Sequence, residues 1–400
     1  MEKIQAYKFR LKIKKHQNDI FYKWSRQCHF LWNTMLAKNL HILNNNQKVW
    51  KLRGDKWIRT WENNPMNYNA MDKYKNHILK KSDECNFLTE PPAQSLQVVL
   101  KKLDLAFSTF FKKCHEGSGK PKFKKRKSKL SFSFPCDNQR AKLNNDSIFI
   151  PKVGRICFKR HRKIVGDIKN ITISKECNHW YISIQTEIQQ EQPIATDIKS
   201  VGIDLGINKT VQCSDGIEYT SEKTKYQKIE NKRIFLQQIQ SLKKKFSNNW
   251  YKVLNKIKIL YKKASDIKKD FLHQVSTEIV RKYNRIHIED LKINNMTKSA
   301  SGTIDNPGTQ VAQKSGLNKS ILEQGWGMFK EFLQYKLDWI GGELIKVNPK
   351  NTSRKCNKCG YTDKKNRPTQ EVFKCLNCEY ECNADLNAAL NIHAVGLLVC

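Results

Sequence analysis

Tyr7, Phe9, Leu11 and Ile13 alternate with Lys8, Arg10, Lys12 and Lys14, a period of two that predicts a strand with one apolar face and one wholly basic face. From Gln17 to Leu43 the period lengthens: Ile20, Trp24, Leu31 and Met35 recur at helical spacing and predict a long amphipathic helix. Residues 44–90 are polar, with Asn-rich and Trp-rich patches that set no clear period. Pro91 and Pro92 then open a helix whose apolar face is Leu96, Val99, Leu100, Leu103, Phe107, Phe110 and Phe111. Five short strands come next, at 131–134, 147–154, 155–160, 168–175 and 180–188, with turns at Val153-Gly154 and Cys177-Asn178. Their spacing predicts a small antiparallel barrel, completed by the first strand and interrupted by the helical stretch.

After a polar linker at 190–199, VGIDLGINKT, VQCSDG and IEYT read as a three-strand meander. Residues 226–284 carry helical periodicity (Ile229, Leu236, Ile239, Leu242, Val253, Ile257, Leu260) opposite a Lys-rich face, which predicts a helix hairpin and a third helix from Asp270 to Tyr283. RIHIEDL, at 285–291, is a strand, and residues 294–316 read as a long structureless loop suited to a functional lid. Leu317 to Ile340 is helical and Glu343 to Val347 is a last strand. Meander, helices, strand, helix, strand, with acids on the first and a middle strand, is the order of an RNase H-like nuclease domain.

Three acids stand where an acid is costly. Asp204 lies between Ile203 and Leu205 in an apolar strand, Glu289 ends another, and Asp385 opens the Ala- and Leu-rich ADLNAALNI. A strand-embedded carboxylate needs a cation partner or an exposed position. Three of them converging would hold two divalent cations roughly 4 Å apart, the arrangement that promotes phosphodiester cleavage. For Asp385 the alternative is an acid favoured by the helix dipole alone.

A second metal signal is stronger: Cys356-x2-Cys359, fifteen residues, then Cys375-x2-Cys378. Four thiolates on two knuckles match one structural Zn2+ in tetrahedral coordination. Cys382 is close by and is expected not to ligate; Cys28, Cys85, Cys114, Cys136, Cys157, Cys177, Cys213 and Cys400 have no ligand spacing and read as small core or surface residues. Lys355, Lys358, Lys364, Lys365 and Arg367 make this segment basic, hence a nucleic-acid contact.

Charge points the same way. Lys and Arg number 74 against 37 Asp and Glu, a formal +37 that implies a polyanionic partner, and nucleic acid rather than a membrane surface because the cations are spread along the chain among aromatics. The densest cluster, Lys120, Lys122, Lys124, Lys125, Arg126 and Lys127 around Phe123, is expected to touch phosphate, as is the Lys8, Arg10, Lys12 face. No apolar run reaches membrane-spanning length and the start is charged, so neither a span nor a secretion signal is expected, and the place is the cytoplasm or nucleoid.

The ordered set VGIDLG, IEDLKINNMTKSASG, LNKSILEQGWGMFKEFLQYKLDWIGG, NPKNTSRKCNKCG, FKCLNC and ADLNAALNI closely resembles the TnpB proteins of insertion sequences, relatives of the type V CRISPR effectors. AYKFRL, EPPAQSLQVVLKKLDLAFSTFFKK, GKPKFKKRK, IPKVGRICFKRHRKIVG and WYISI extend the resemblance over nearly the whole chain. It implies an RNA-guided DNA endonuclease encoded by a transposable element: a guide RNA from the same element pairs with double-stranded target DNA, and a RuvC-like site cuts it with Mg2+, for which Mn2+ can substitute. The family's acids match Asp204, Glu289 and Asp385, and its zinc ligands match Cys356, Cys359, Cys375 and Cys378. Asp204 would bridge both metals, with Glu289 and Asp385 completing one coordination sphere each. Two departures are Glu379, where many relatives have Gly, and Asn383-Ala384, where many have an acidic-Arg pair. Gln94 and Ser95 are candidates for reading duplex DNA, and 294–316 for a guide-binding segment.

The expected organisation is α+β and multidomain, acting as a monomer. A wedge-like β-barrel domain spans 1–16 and 117–195 and a helical recognition domain 17–116; a RuvC-like nuclease domain spans 196–350 and 380–400, with a zinc ribbon inserted at 351–379. The competing readings are a transposase that joins DNA ends without RNA, a guided binding protein that does not cut, and a resolvase that prefers branched DNA.

Overall fold

The N-terminal alternation builds β1 (Glu2–Lys12), in which Tyr7, Phe9 and Leu11 are buried and Lys8, Arg10 and Lys12 are exposed. The computed structural model describes residues 2–45, 48–53, 56–61, 64–112, 119–135, 143–144, 146–189, 197–221, 223–303 and 305–398, in two units that divide after Gln190. Cys114, Cys136, Cys400 and most of the expected linker lie outside the described residues.

In the first unit, β1 leads into α1 (Lys15–Asn44), which contains no glycine or proline and buries Phe21, Trp24, Cys28, Leu31 and Met35. Where residues 44–90 gave no period, β2 (Lys48–Arg53) and β3 (Lys56–Trp61) pair as an antiparallel ladder rich in β-forming Val, Ile, Thr and Trp, followed by α2 (Tyr68–His77) and two 3-10 turns. The inserted stretch is therefore not wholly helical. α3 (Ala93–Lys112) buries Leu96, Leu100, Leu103 and Phe107, while Phe111 stays exposed. Ser95 is buried as well, which removes it as a reader of DNA.

Strands β4 (Ser131–Pro135), β5 (Ser147–Ile150), β6 (Gly154–Lys159), β7 (Asp167–Glu176) and β8 (His179–Gln189) join β1 in a six-stranded antiparallel sheet of order β4-β7-β8-β1-β6-β5. Gly154, at φ 89°, and Cys177, at φ 50°, make the two expected turns. The edges β4 and β5 do not pair among the described residues, so the sheet is open where a closed barrel was expected. Closure needs tilted strands staggered all the way round, with the two edge strands hydrogen-bonded to each other, and β4 and β5 each pair on one side only, with β7 and β6. α1 lies on the sheet through Phe21 against Phe132 and Trp180, and Trp24 against Phe132. Burial of each such ring contributes about 1.5–3 kcal/mol.

The second unit is a mixed five-stranded sheet of order β11-β10-β9-β12-β13, from β9 (Ser200–Asp204), β10 (Val211–Cys213), β11 (Glu218–Tyr219), β12 (Arg285–Glu289) and β13 (Glu343–Val347). β9, β12 and β13 run parallel; β10 and β11 are antiparallel additions. Between β11 and β12 lie α4 (Lys223–Ser241) and α5 (Asn248–Lys282). Two helices were expected where α5 is one: its 35 residues contain neither Gly nor Pro, so nothing interrupts it at Asp270.

The expected loop at 294–316 is shorter and more ordered, with a helical turn α6 (Ile293–Met296), a Gly302–Pro307 bridge, and α7 (Val311–Gln324) beginning inside it. α7 and α8 (Trp326–Ile340) are separated at Gly325, whose φ of 72° ends one helix and starts the next, so the single helix expected from Leu317 is two. The core joins Val201, Ile203, Ile286 and Ile288 of the sheet to Leu272, Ile279, Phe329 and Leu333 of the helices. The short ladder β14 (Val372–Lys374) with β15 (Glu381–Asn383) precedes α9 (Ala384–Leu398).

α9 approaches the sheet at two glycines. A Cβ on Gly202 would fall 2.3 Å from the Ala389 carbonyl oxygen, and one on Gly396 would fall 2.2 Å from the His287 ring. Neither position has room for a methyl group. His393 of α9 completes the seam with a 2.9 Å hydrogen bond between Nε2 and Ser200 Oγ.

Candidate functional site

β9 and β12 are adjacent and parallel, and Ile203 stands opposite Ile288. One residue further along each strand, Asp204 and Glu289 therefore leave the sheet side by side at its carboxyl edge, where open α/β sheets form their ligand crevices. Asp385 reaches the same edge from the first turn of α9: a Cβ on Gly206, just beyond β9, would lie 3.9 Å from its Oδ2. Asn383 caps that turn, its Oδ1 accepting from the backbone N–H of Asp385 at 3.1 Å and of Leu386 at 3.3 Å.

The three acids share one electrostatic neighbourhood. Burial, then the charges of Glu289 and Asp385, push Asp204 up from the ordinary 3.8 to about 7. Glu289 is also raised, chiefly by burial, although Thr352 Oγ1 donates to its Oε1 at 2.5 Å and Lys330 lies near. Lys330 donates to the Glu289 backbone carbonyl and Arg367 Nη2 donates to Asp385 Oδ1 at 3.1 Å. Among the described residues only the four thiols gather all their ligand atoms within 4.8 Å of one another, so the three carboxylates do not close around a single point. Acids held together at this cost in a fold suit a divalent cation, which removes both the repulsion and the burial penalty.

Sequence reasoning missed most of this support. In the sequence Arg367 reads as one of five cations that make the cysteine segment a nucleic-acid contact, yet it supplies the guanidinium beside Asp385 at the place where Asn383-Ala384 offers none. Thr352 and Lys330 carried no signal, because only the fold brings them to Glu289.

Cys356, Cys359, Cys375 and Cys378 bring all four Sγ atoms within 4.8 Å of one another, with 3.7 Å between Cys356 and Cys378 and 3.5 Å between Cys359 and Cys375. Sulfurs about 2.3 Å from a central tetrahedral ion stand roughly 3.8 Å apart, so the set fits a zinc-sized ion. The two knuckles repeat one geometry. Gly360 N–H donates to Cys356 O and Glu379 N–H to Cys375 O; Cys356 N–H pairs with Tyr361 O and Cys375 N–H with Tyr380 O. The residue after each second cysteine is left-handed, Gly360 at φ 78° and Glu379 at φ 56°. The Tyr361 amide helps to hold the Cys359 thiol down at about 6; the Tyr380 amide does the same for Cys378, but burial and the neighbouring thiols push that group up. Cys382 lies half-buried outside the set.

Two asparagines one helical turn apart bind this segment to α9. Asn387 Nδ2 donates to Lys355 O at 2.8 Å while its Oδ1 accepts from Asn357 N–H, and Asn391 Nδ2 donates to Lys355 O and Thr352 O at 2.7 and 2.9 Å. The helix that carries Asp385 and the knuckles that carry the thiols are thus one assembly.

In the first unit, Lys120, Lys122, Lys124, Lys125, Arg126 and Lys127 are exposed, but their backbone is held by α1. Trp32 Nε1 donates to Lys122 O at 3.0 Å, Asn33 pairs with both the N–H and the carbonyl of Lys124, and Arg26 donates to Arg126 O. The cations are presented by a fixed strip. On β1, Arg10 and Lys12 are exposed, whereas Lys8 and Lys129 grip Glu176 and hold its acid at about 2 against burial. Among the described residues no helix is long and apolar enough to cross a membrane.

Three family models match the chain: "Helix-turn-helix domain" over 1–48, "Probable transposase" over 183–300, and "Cas12f1-like, TNB domain" over 326–392. Over the first of these, the described residues form one strand and one 30-residue helix rather than two helices about a turn. The solved Cas12f1–sgRNA–target DNA complex shares the fold, with a TM-score of 0.53 at 16% identity over 95% of this chain and 83% of that one. A Streptomyces pristinaespiralis protein named "Putative RNA-guided DNA endonuclease" is 29% identical over 80% of this chain and 75% of its own. "Putative RNA-guided DNA endonuclease InsQ" of Escherichia coli (strain K12) is 38% identical over 99% of this chain and 93% of its own length, and by this similarity, end to end, the chain belongs to the TnpB family.

Proposed function

We propose that the chain is an RNA-guided DNA endonuclease of a transposable element, whose second unit is a RuvC-like nuclease interrupted by a zinc ribbon. The observation that carries this reading is the meeting of Asp204, Glu289 and Asp385 at the carboxyl edge of β9 and β12, with Asp204 raised by burial and by its two acidic neighbours. The resemblance to proteins named as RNA-guided DNA endonucleases supports RNA and DNA as partners; the guide RNA would come from the same element, the target DNA would be double-stranded, and one copy of the chain would bind both. The basic strip at 120–127 and the β1 face, in a wedge-like domain, suit phosphate contact; residues 17–116 would form the recognition insertion.

Asp204, Glu289 and Asp385 would hold two Mg2+ ions, with Mn2+ able to replace them. When bound, these ions neutralise the scissile phosphate and promote attack by water on phosphorus. Thr352 fixes the Glu289 carboxylate, and Lys330 steadies the strand end through the Glu289 carbonyl. Arg367 orients Asp385 and adds a positive charge where phosphate enters. Cys356, Cys359, Cys375 and Cys378 would hold one structural Zn2+, fixing Arg367 and, through Asn387 and Asn391, the pose of α9.

The test is cleavage of a plasmid by protein copurified with RNA from its own locus. Wild type should cut at the site specified by that RNA. Asp204→Ala should lose cleavage by more than about a thousandfold and retain binding, a loss on the scale of removing a main catalytic group. Cutting without RNA, or undiminished cutting by Asp204→Ala, would overturn the reading. The model described as "Probable transposase" favours a second reading, strand transfer; it requires the joining of element ends in the absence of RNA.

A further inference from the structure

The turn between α4 and α5 is far from the acids. α5 spans roughly 52 Å at 1.5 Å per residue, and β12, with Glu289, begins at its other end. A solvated helix hairpin ends best in small polar residues, yet this one presents Leu242 at 88% exposure, Phe246 at 58% and Tyr251 at 40%. Phe246 sits at φ 68°, a left-handed conformation in which a bulky residue is an outlier and where Gly or Asn would be unstrained.

The strain holds a ring cluster in place. Phe246 meets Trp250 edge-on at 5.6 Å, Trp250 meets Tyr251 at 5.1 Å and 88°, and Ser247 caps α5 between them by accepting from Trp250 N–H. Lys244 and Lys245 are exposed beside the rings, with Lys245 Nζ 5.4 Å from the Phe246 centroid. Packing of Phe246 on Tyr251 is a staple across the helix start. A staple accounts for their contact, but it leaves the outer ring faces in water and explains neither Leu242 nor the lysines.

Flat exposed rings flanked by ammonium groups match one ligand chemistry: unpaired bases that stack while their phosphates meet lysine. A duplex hides its base faces and an apolar protein partner would not select the lysines. We propose that the α4–α5 turn is a binding site for single-stranded nucleic acid, with the exposed rings of Phe246 and Tyr251 as stacking platforms, the half-buried Trp250 bracing them, and Lys244 and Lys245 as phosphate contacts. The site rests on nucleic acid being the partner, as proposed above, and not on the cleavage chemistry.

The test uses the full chain without divalent cation and a bromouracil-substituted single strand, as DNA and as RNA, with photocrosslinks mapped to residues. Crosslinks at Phe246, Trp250 or Tyr251 are expected; crosslinks confined to other segments overturn the site. The strand with the higher yield identifies DNA or RNA as the natural source. Affinity supplies the second arm: Phe246→Leu keeps an apolar staple but loses the ring, and should weaken an oligothymidylate roughly tenfold while leaving an abasic strand of equal length unchanged. Phe246→Trp should bind like wild type. Equal effects of Phe246→Leu on both strands, or loss of a self-associated form in sedimentation, would show a staple or a protein contact instead. Tip crosslinks in a protein that fails guided cleavage would sink the nuclease reading alone; guided cleavage without tip crosslinks would sink this one alone.

Discussion

Asp204→Asn should stabilise the zinc-loaded, magnesium-free protein at alkaline pH, although it removes a group central to the candidate site. Burial beside Glu289 and Asp385 moves Asp204 from 3.8 to about 7, so the folded chain retains a proton that the unfolded chain gives up. A raised carboxyl imposes nothing below pH 4, an increasing penalty between about 4 and 7, and its full penalty above 7. Three units at 1.36 kcal/mol each set a ceiling of about 4 kcal/mol, and sharing of charge with Glu289 reduces this to about 2–4 kcal/mol. For a unit of about 200 residues that is a rise in Tm of roughly 5–10 °C at pH 8, shrinking toward zero at pH 4. Thermal melting of zinc-loaded wild type and variant, with no Mg2+ present, across this range measures it. Adding Mg2+ at pH 8 should raise the wild-type Tm and leave the variant nearly unchanged. A variant that melts lower than wild type at pH 8, or by the same margin at pH 8 and pH 4, would refute the argument that three acids are crowded here without a counterion.

Two further substitutions test the surroundings. Glu379→Gly removes the side chain from a left-handed residue at the place where the sister knuckle has Gly360, and should tighten zinc retention against a competing chelator about fivefold; Gly360→Glu should loosen it by a similar factor. Gly202→Ala places a methyl group 2.3 Å from the Ala389 carbonyl oxygen, so α9 must move and take Asp385 with it; guided cleavage should fall by at least about a hundredfold while the knuckles keep their zinc.

Much of the site was legible before the fold was known because its residues break local rules. A carboxylate inside VGIDLG and four cysteines in two matched pairs are anomalies within a few residues, and the two strand acids need only the parallel pairing of β9 with β12 to meet. The helices α1 and α3 were readable from their apolar stripes for the same local reason. The unbroken α5 and the division at Gly325 were misjudged because a helix's continuity turns on single residues: no breaker lies near Asp270, and one left-handed glycine separates α7 from α8.

The chain order itself determined the chemistry on offer: which acids, which thiols, and a surplus of 37 positive charges. Tertiary structure alone decided which groups serve them. Arg367 reached Asp385, Thr352 reached Glu289, and Asn387 with Asn391 joined the knuckles to α9, across separations of 18, 63 and about 30–40 residues. Polar side chains of this kind leave no periodic trace in a sequence, since their partners are backbone carbonyls and carboxylates that become neighbours only when β9, β12 and α9 pack. That packing depends on two positions, Gly202 and Gly396, where the absence of a side chain lets a helix lie directly on a sheet.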